Sequence, residues 1–242
     1  MNCDNIIDEL RSCSSQKYKE NIIKLGIPEK DSIGVSTGDV RKIAKKYKKQ
    51  EQLVDELWYY CFHESKMIAI LIMEPENYSI EEIRYYMNMI HSWDLCDMFC
   101  KEVVVKREDY KEFIESWING ESVYEKRGAF SLIASTSVHK NLTEKEVDYF
   151  LDMIRQYEVD NTPIIEKAVS WSLKELGKIS KESKEKAYIV AEGFIKSSKK
   201  SNVWVGKDAL KELQNLIKIP SRERLISSTS KMGKEYLSNN EE

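Results

Sequence analysis

Apolar residues recur at helical spacing along almost the whole chain. The clearest stripe consists of Ile80, Ile83, Tyr86, Met87 and Ile90. Similar stripes run through residues 147–154 and 187–195, and intervals of three and four residues place such side chains on one face of a helix. No segment alternates apolar and polar residues at period two. Only 9 Gly and 4 Pro occur in 242 residues, too few for the many turns of a sheet-rich fold. The sequence therefore predicts an all-α protein without a β-sheet.

Hydroxyl residues stand where several of these helices would begin. Ser79, Thr143 and Ser180 each precede an apolar stripe and are followed within three residues by Glu. A hydroxyl oxygen can accept a hydrogen bond from a backbone N–H of the first helical turn, and early acidic residues interact favourably with the helix dipole. We expect these three residues to be N-caps.

The second helix of each predicted helical pair shares a local pattern. A basic residue stands one to three positions before Ala69, Ala129, Ala168 and Ala209, and an apolar helix face follows. Spacings of about 30 to 40 residues are typical of HEAT-like helical hairpins. The pattern predicts a right-handed α-α superhelix with a concave binding face, lined by these basic residues. Taken singly, each of them is more typical of a solvated cation at a helix start, and only their recurrence favours the concave face.

No linker divides the sequence, so we expect residues 1–242 to form one HEAT-like repeat domain. The core repeats would cover about 36–218, preceded by one N-terminal helix over 2–25 and a loop over 26–38 that contains Pro28 and three glycines. The polar tail over 231–242 is expected to fray.

Charge, cysteine content and the absence of apolar runs indicate the compartment and the kinds of partner to expect. No apolar run approaches the roughly 20 residues of a membrane helix, and the first 17 residues are polar, so we expect a cytoplasmic, monomeric protein without a membrane partner. Five Cys without a CxxC pair predict reduced and mostly buried thiols, and three scattered His predict no metal site. A net charge of −3 counts against a general nucleic-acid binder unless positive charge gathers on one face.

The segment SWDLCD at 92–97 is the strongest candidate for chemistry. Trp93 and Asp97 are four residues apart, so on a helix they share a face, and Asp94 lies one step away from it. An indole beside a carboxylate suits a cationic or sugar-like group, since one offers a π surface and the other a full negative charge. The alternative is a core Trp with Asp94 or Asp97 near a helix N-terminus.

Two later residues occupy comparable positions. Arg127 lies in EKRGAF and Trp171 in EKAVSWSLKELG, each on the second helix of a later pair. Because such helices line one surface of a solenoid, we expect both to converge with Trp93 and Asp97.

Four motifs together make the chain resemble the AlkD family of HEAT-repeat DNA glycosylases. They are LGIPEKDSIGVSTGDVRKIAK at 25–45, SWDLCD at 92–97, EKRGAFSLIAS at 125–135 and EKAVSWSLKELGK at 166–178. The resemblance spans about residues 18 to 215. It implies excision of N3- or N7-alkylated purines from double-stranded DNA without base flipping, with no cofactor or metal.

The resemblance also implies roles for individual residues. Asp97 would be the catalytic carboxylate, and Trp93 and Trp171 would cradle the deoxyribose of the lesion. Tyr18 in KYKEN resembles an N-terminal aromatic residue of the family site. The residues expected to contact DNA phosphates are Arg127, Lys126, Lys167 and Lys207.

Two rival hypotheses remain open at this point. The chain could bind distorted or branched DNA without catalysis, through Arg127 and the repeated lysines on phosphates. It could also be a protein-binding scaffold, which an acidic surface would suit. A positive binding face would favour DNA, and a neutral or negative one would favour protein.

Overall fold

The computed structural model describes residues 2–24, 26–60 and 62–240. Leu25 of the 25–45 motif, Cys61 and the terminal Glu241 and Glu242 lie outside the described residues. The chain forms two compact units, Met1–Tyr110 and Lys111–Glu242, which we call unit 1 and unit 2. The predicted all-α fold is confirmed in both units.

Unit 1 is built around one almost completely buried helix. Its helices are α1 (Cys3–Ser12), α2 (Gln16–Lys24), α3 (Thr37–Tyr47), α4 (Val54–Tyr59), α5 (His63–Ile72), α6 (Ile80–Asn88) and α7 (Trp93–Glu102). Helix α5 packs against α1, α3, α4 and α7, and Ile68, Ala69 and Ile72 have no exposed surface. Because it is covered on several sides, α5 is apolar around most of its circumference. It therefore fixes the position of α7, which carries Trp93 and Asp97.

The N-terminal segment contains two helices where the sequence predicts one over 2–25. Helix α1 ends at Ser12 and α2 begins at Gln16. Between them, Ser14 Oγ donates to the carbonyl of Ile33 and the backbone N–H of Ser15 donates to the carbonyl of Gly34. Bonds to residues 19 positions away replace those of a continuous helix, so no local pattern reveals the break.

Gly34 is required where this loop meets α2. Its φ is +88°, and a Cβ atom there would lie 2.8 Å from Cβ of Lys19. A side chain would therefore suffer both backbone strain and a steric clash. This glycine lets the loop over 26–36 lie directly against α2.

A buried carboxylate anchors the same loop to α5. Glu64 has no exposed surface, and its oxygens accept hydrogen bonds from Ser32 Oγ and from the backbone N–H groups of Ile33, Gly34 and Val35 at 2.7 to 3.2 Å. Four donors compensate the cost of burying the negative charge. The loop is thus held by the first turn of α5.

Unit 2 consists of two helical layers. Its helices are α8 (Tyr110–Trp117, which starts at the last residue of unit 1), α9 (Val123–His139), α10 (Glu144–Gln156), α11 (Pro163–Gly177), α12 (Lys181–Ile195), α13 (Lys200–Leu213) and α14 (Lys231–Ser238). Helix α11 packs between α9 and α13 in one layer, and α12 packs on α10 in the other. Successive second helices begin 40 and 37 residues apart, as the hairpin prediction requires.

The predicted caps and small packing residues are confirmed. Ser79 and Thr143 form capping boxes with Glu82 and Glu146, and Ser180 accepts a bond from the N–H of Ser183. The four repeat alanines Ala69, Ala129, Ala168 and Ala209 are at most 1% exposed. Their small side chains let neighbouring helices approach closely.

The C-terminal part differs from one expectation. A short antiparallel sheet pairs β1 (Leu216–Ile217) with β2 (Ile226–Ser227), although no sheet is predicted. Strands of two residues cannot show an alternating pattern, and the hairpin is held by bonds such as Leu225 N–H to the carbonyl of Lys178. Ser230 caps α14, whose Gly233 is buried, and fraying of the tail stays a prediction.

Candidate active site and DNA-binding residues

Trp93 and Asp97 lie one turn apart on α7, as predicted from their spacing. Trp93 is the first residue of the helix, and both side chains are partly exposed. Leu95 and Phe99 on the opposite side are buried. The indole and the carboxylate therefore lie on the same face of α7, each with part of its surface exposed.

The neighbouring carboxylate has a different environment. Asp94 Oδ2 lies 2.7 Å from Nε2 of His63, whose side chain is 3% exposed. Burial opposes ionisation of Asp94, but the hydrogen bond and charge of His63 outweigh it and lower the pKa of this carboxyl group below its ordinary value. Asp94 thus ties the first turn of α7 to the first turn of α5.

His63 and Glu64 are residues that the sequence analysis missed. They are adjacent at the start of α5, and their partners Asp94 and the loop over 32–35 are about 30 residues away in opposite directions. No spacing rule connects them. Together they hold the loop and α7 against α5, the rigid element beneath the candidate site.

Arg127 and Lys126 stand at the start of α9 in unit 2, and they contact the first turn of α11 and the segment before it, respectively. Arg127 is only 5% exposed, and its Nη1 donates to the carbonyl of Ile164. Lys126 Nζ lies 2.8 Å from Oδ2 of Asp160. Both predicted phosphate contacts thus have protein partners. A phosphate role for either residue stays a prediction and would require these bonds to be exchanged.

The other predicted DNA-binding residues are more accessible. Trp171 is partly exposed in the middle of α11, Lys167 is exposed one turn before it, and Lys207 is exposed on α13. Tyr18 is 44% exposed on α2 of unit 1. An accessible Trp between exposed lysines is an arrangement that can stack on a base or sugar and neutralise phosphates.

The structure thus brings the predicted residues together in two groups. Trp93 and Asp97 share a face of α7 in unit 1, while Arg127 and Trp171 lie on the adjacent helices α9 and α11 of unit 2. Trp171 is seven residues beyond the Ile164 carbonyl that Arg127 binds, which is about 10 Å along the helix axis. That all four residues share one surface stays a prediction.

Two further properties concern metals and membranes. Across residues 2–24, 26–60 and 62–240, no group of three or more His, Cys, Asp or Glu side chains is arranged to hold a metal ion. Over the same ranges, no helix is long and apolar enough to cross a membrane.

Comparison with known proteins places the chain in a family. Residues 6–213 match the model of the family described as DNA alkylation repair enzyme. No curated protein sequence matches significantly. A solved structure described as "a new family of proteins related to the HEAT-like repeat DNA glycosylases with affinity for branched DNA structures" is similar over 99% of this chain and 95% of its own, with a TM-score of 0.72 and 17% identity. This similarity shows a shared HEAT-like fold. The family match covers most of the chain, and the protein therefore belongs to the DNA alkylation repair enzyme family.

Proposed function

We propose that this protein binds DNA and hydrolyses the N-glycosidic bond of N3- or N7-alkylated purines, with Asp97 as the catalytic carboxylate. The observation that carries the proposal is that Trp93 and Asp97 lie one turn apart on the same face of α7, each partly exposed. The first turn of this helix is tied to α5 by the contact between Asp94 and buried His63. Family membership supports an alkylated-DNA substrate.

The proposed chemistry needs little beyond one well-placed carboxylate. An N3- or N7-alkylated purine is already cationic, so it leaves without a strong general acid. The sugar left behind has oxocarbenium character, as in other glycoside hydrolyses. A carboxylate about 4 Å from that charge stabilises it by about 4 kcal/mol at an effective dielectric near 20. If this stabilisation is realised in the transition state, it is worth about three decades in rate.

Trp93 and Asp97 would act on different parts of the same sugar. The indole of Trp93 offers a flat surface for the deoxyribose, while Asp97 faces the developing positive charge and can orient the attacking water. Neither role requires a deep base pocket, in agreement with hydrolysis without base flipping.

The test is release of N3-methyladenine and N7-methylguanine from methylated duplex DNA under single-turnover conditions. We expect wild type to release at least one base and Asp97→Asn to be about 1,000-fold slower. Glu81→Gln on α6, an exposed carboxylate of the same unit, is the matched control and should retain the wild-type rate. Wild type that releases neither base would refute the glycosylase proposal, and an equally fast Asp97→Asn would refute the role of Asp97.

A second candidate function is binding of branched DNA without base release. Two observations favour it. Lys167 and Lys207 of unit 2 are exposed and could contact phosphates whether or not Asp97 is catalytic. The structurally similar protein is described as having affinity for branched DNA. Binding to a four-way junction should be compared with binding to a linear duplex of the same length. Tighter junction binding without any base release would establish this second function in place of the first.

A further inference from the structure

Helices α11 and α13 carry the same pattern of basic and aromatic residues. In α11 the pattern begins at Lys167 and continues with Trp171, Lys174 and Lys178. In α13 it begins at Lys200 and continues with Trp204, Lys207 and Lys211. Both follow the spacing Lys-x3-Trp-x2-Lys-x3-Lys, with an offset of 33 residues. Intervals of four, three and four residues place all members of each set on one helix face.

Burial follows the same offset. The positions after the two tryptophans, Ser172 and Val205, are both fully buried, and so are Leu176 and Ala209 at the next equivalent position. Trp171 is partly exposed and Trp204 is 39% exposed. The two helices therefore present equivalent faces to the core of unit 2 and equivalent faces away from it.

Ion pairs between α11 and α13 show how the two faces are aligned. Lys174 Nζ lies 2.9 Å from Oδ2 of Asp208, and Lys178 Nζ lies 2.7 Å from Oε1 of Glu212. Both pairs join residues 34 positions apart, so the helices run parallel and residues about 33 apart are at the same height. Packed helices are about 8 to 10 Å apart. The two tryptophans are therefore level on neighbouring helices.

The Lys174–Asp208 pair also joins the two tryptophan faces. Lys174 is three residues after Trp171 and therefore lies on its face of α11. Asp208 is four residues after Trp204 and lies on its face of α13. Because these two side chains meet, the faces that carry Trp171 and Trp204 adjoin.

The remaining lysines of the pattern are not used in this way. Lys167, Lys200, Lys207 and Lys211 are all exposed. Within the part of the chain that the structure describes, none of the four forms an ion pair with a carboxylate. These lysines place positive charge beside two accessible indoles. The lysines can contact the phosphates of a nucleic acid, and the indoles can stack on its bases.

We propose that Trp204, beside Trp171 and flanked by Lys200, Lys207 and Lys211, binds the unpaired nucleotides of single-stranded segments in DNA, with a base stacked on the Trp204 indole. This inference rests on the proposed DNA binding and adds a second contact to it. A stacked indole tolerates any base, because every base has a π face, and the lysines contact phosphates without reading sequence.

The test compares a forked duplex carrying two single-stranded dT arms with a fully paired duplex. Trp204→Ala should weaken fork binding about 30-fold, the middle of the range for stacking one base on an aromatic ring, and change duplex binding less than twofold. Ile189→Ala, another exposed apolar residue of unit 2 (62% exposed), should change neither. Equal weakening on both DNAs, or no weakening on the fork, would overturn the proposal.

A spectroscopic signal distinguishes stacking from a structural role. Wild type contains five Trp, of which Trp58 and Trp117 are at most 2% exposed, so quenching by oligo(dT) reports on the accessible ones. Trp204→Phe should keep fork affinity within about threefold, since phenyl rings also stack, yet show less quenching at saturation. If quenching in Trp204→Phe is as large as in wild type, the base does not stack on Trp204.

Charge provides an independent measurement. Lys207→Gln should reduce the salt dependence of oligo(dT) binding by about 0.7 in the log–log slope, the value for one phosphate on a single strand. Lys145→Gln, an exposed lysine on α10, should leave the slope unchanged. If wild type binds none of these DNAs, both the Trp204 contact and the proposed function are overturned. If wild type binds them and the Trp204 variants bind forks as tightly as wild type, only the Trp204 contact is overturned.

Discussion

Units 1 and 2 differ in their net charge and in the charged residues that carry the account of each. In unit 1, two carboxylates near the start of α5 bind other parts of the unit. Glu64 accepts hydrogen bonds from the loop over 32–35, and Asp94 pairs with buried His63. Unit 2 leaves Lys167, Lys200 and Lys207 exposed on two neighbouring helices. Unit 1 contains 16 Lys and Arg against 20 Asp and Glu, a net −4, while unit 2 contains 22 against 21, a net +1.

This difference resolves an objection raised by the sequence. A net charge of −3 counts against DNA binding when the chain is treated as uniform. The net negative charge belongs to the unit that would supply the catalytic carboxylate, and the two helix faces with the shared Lys–Trp pattern belong to the other unit. Local distribution of charge, and not its sum, governs contact with phosphates.

The largest stability effect is expected at Glu64. Glu64→Gln keeps the shape of the side chain but replaces an acceptor with an amide donor that faces backbone N–H groups, including that of Ile33. We expect a loss of about 3 kcal/mol in the free energy of unfolding, measured by urea denaturation. Exposed Glu81→Gln in the same unit should cost less than about 0.5 kcal/mol. Equal effects for the two variants would contradict the clamp.

Arg127 gives the corresponding measurement in unit 2. Arg127→Gln removes a buried charged donor from the carbonyl of Ile164, and we expect a loss of about 2 kcal/mol in the free energy of unfolding. If Arg127 also contacts a phosphate, the salt slope of duplex binding falls by about 0.9. A slope equal to that of wild type would remove Arg127 from the DNA contacts and leave it a structural residue.

The His63–Asp94 pair predicts an acid-dependent loss of stability. Because the pKa of Asp94 is lowered in the folded state, the pair stabilises the protein above the ordinary Asp pKa of about 3.9, and this contribution is lost as pH falls through the lower folded value. Asp94→Asn should cost about 1 to 2 kcal/mol at pH 6. The difference from wild type should shrink below about pH 4, and a difference that grows there would contradict the assignment.

The smallest effects are expected for single exposed lysines. Lys167→Gln should weaken duplex binding only a few-fold and lower the salt slope by about 0.9, with no change in unfolding free energy beyond about 0.5 kcal/mol. Lys145→Gln on α10 is the matched control. If both variants lower the slope equally, the lysines of α11 have no special place in DNA binding.

Local sequence rules predicted the features that depend on neighbours within one helix. The helices, the caps at Ser79 and Thr143, and the shared face of Trp93 and Asp97 all follow from spacings of three or four residues. The His63–Asp94 pair and the Glu64 clamp join residues about 30 positions apart, and no local pattern encodes them. The same holds for the break between α1 and α2.

The burial of Arg127 and the Lys–Trp pattern were not predicted for two other reasons. Arg127 was expected to line the binding surface because it lies on the second helix of a pair, but its guanidinium bonds to a carbonyl of α11 and the residue is 5% exposed. The Lys–Trp pattern shared by α11 and α13 was visible in the sequence at an offset of 33 residues. The alignment on Ala168 and Ala209 used an offset of 41 and therefore hid it.

The central claim is that unit 1 supplies the chemistry and unit 2 supplies DNA affinity. The most direct measurement determines both base release and duplex affinity for Asp97→Asn and for the double variant Lys167→Gln/Lys207→Gln. The account predicts that Asp97→Asn loses about 1,000-fold in single-turnover base release with affinity unchanged within about twofold. The lysine variant should lose affinity, with a salt slope lower by about 1.8, yet keep the wild-type release rate at saturating protein. Loss of affinity in Asp97→Asn, or a slow saturated rate in the lysine variant, would contradict this separation.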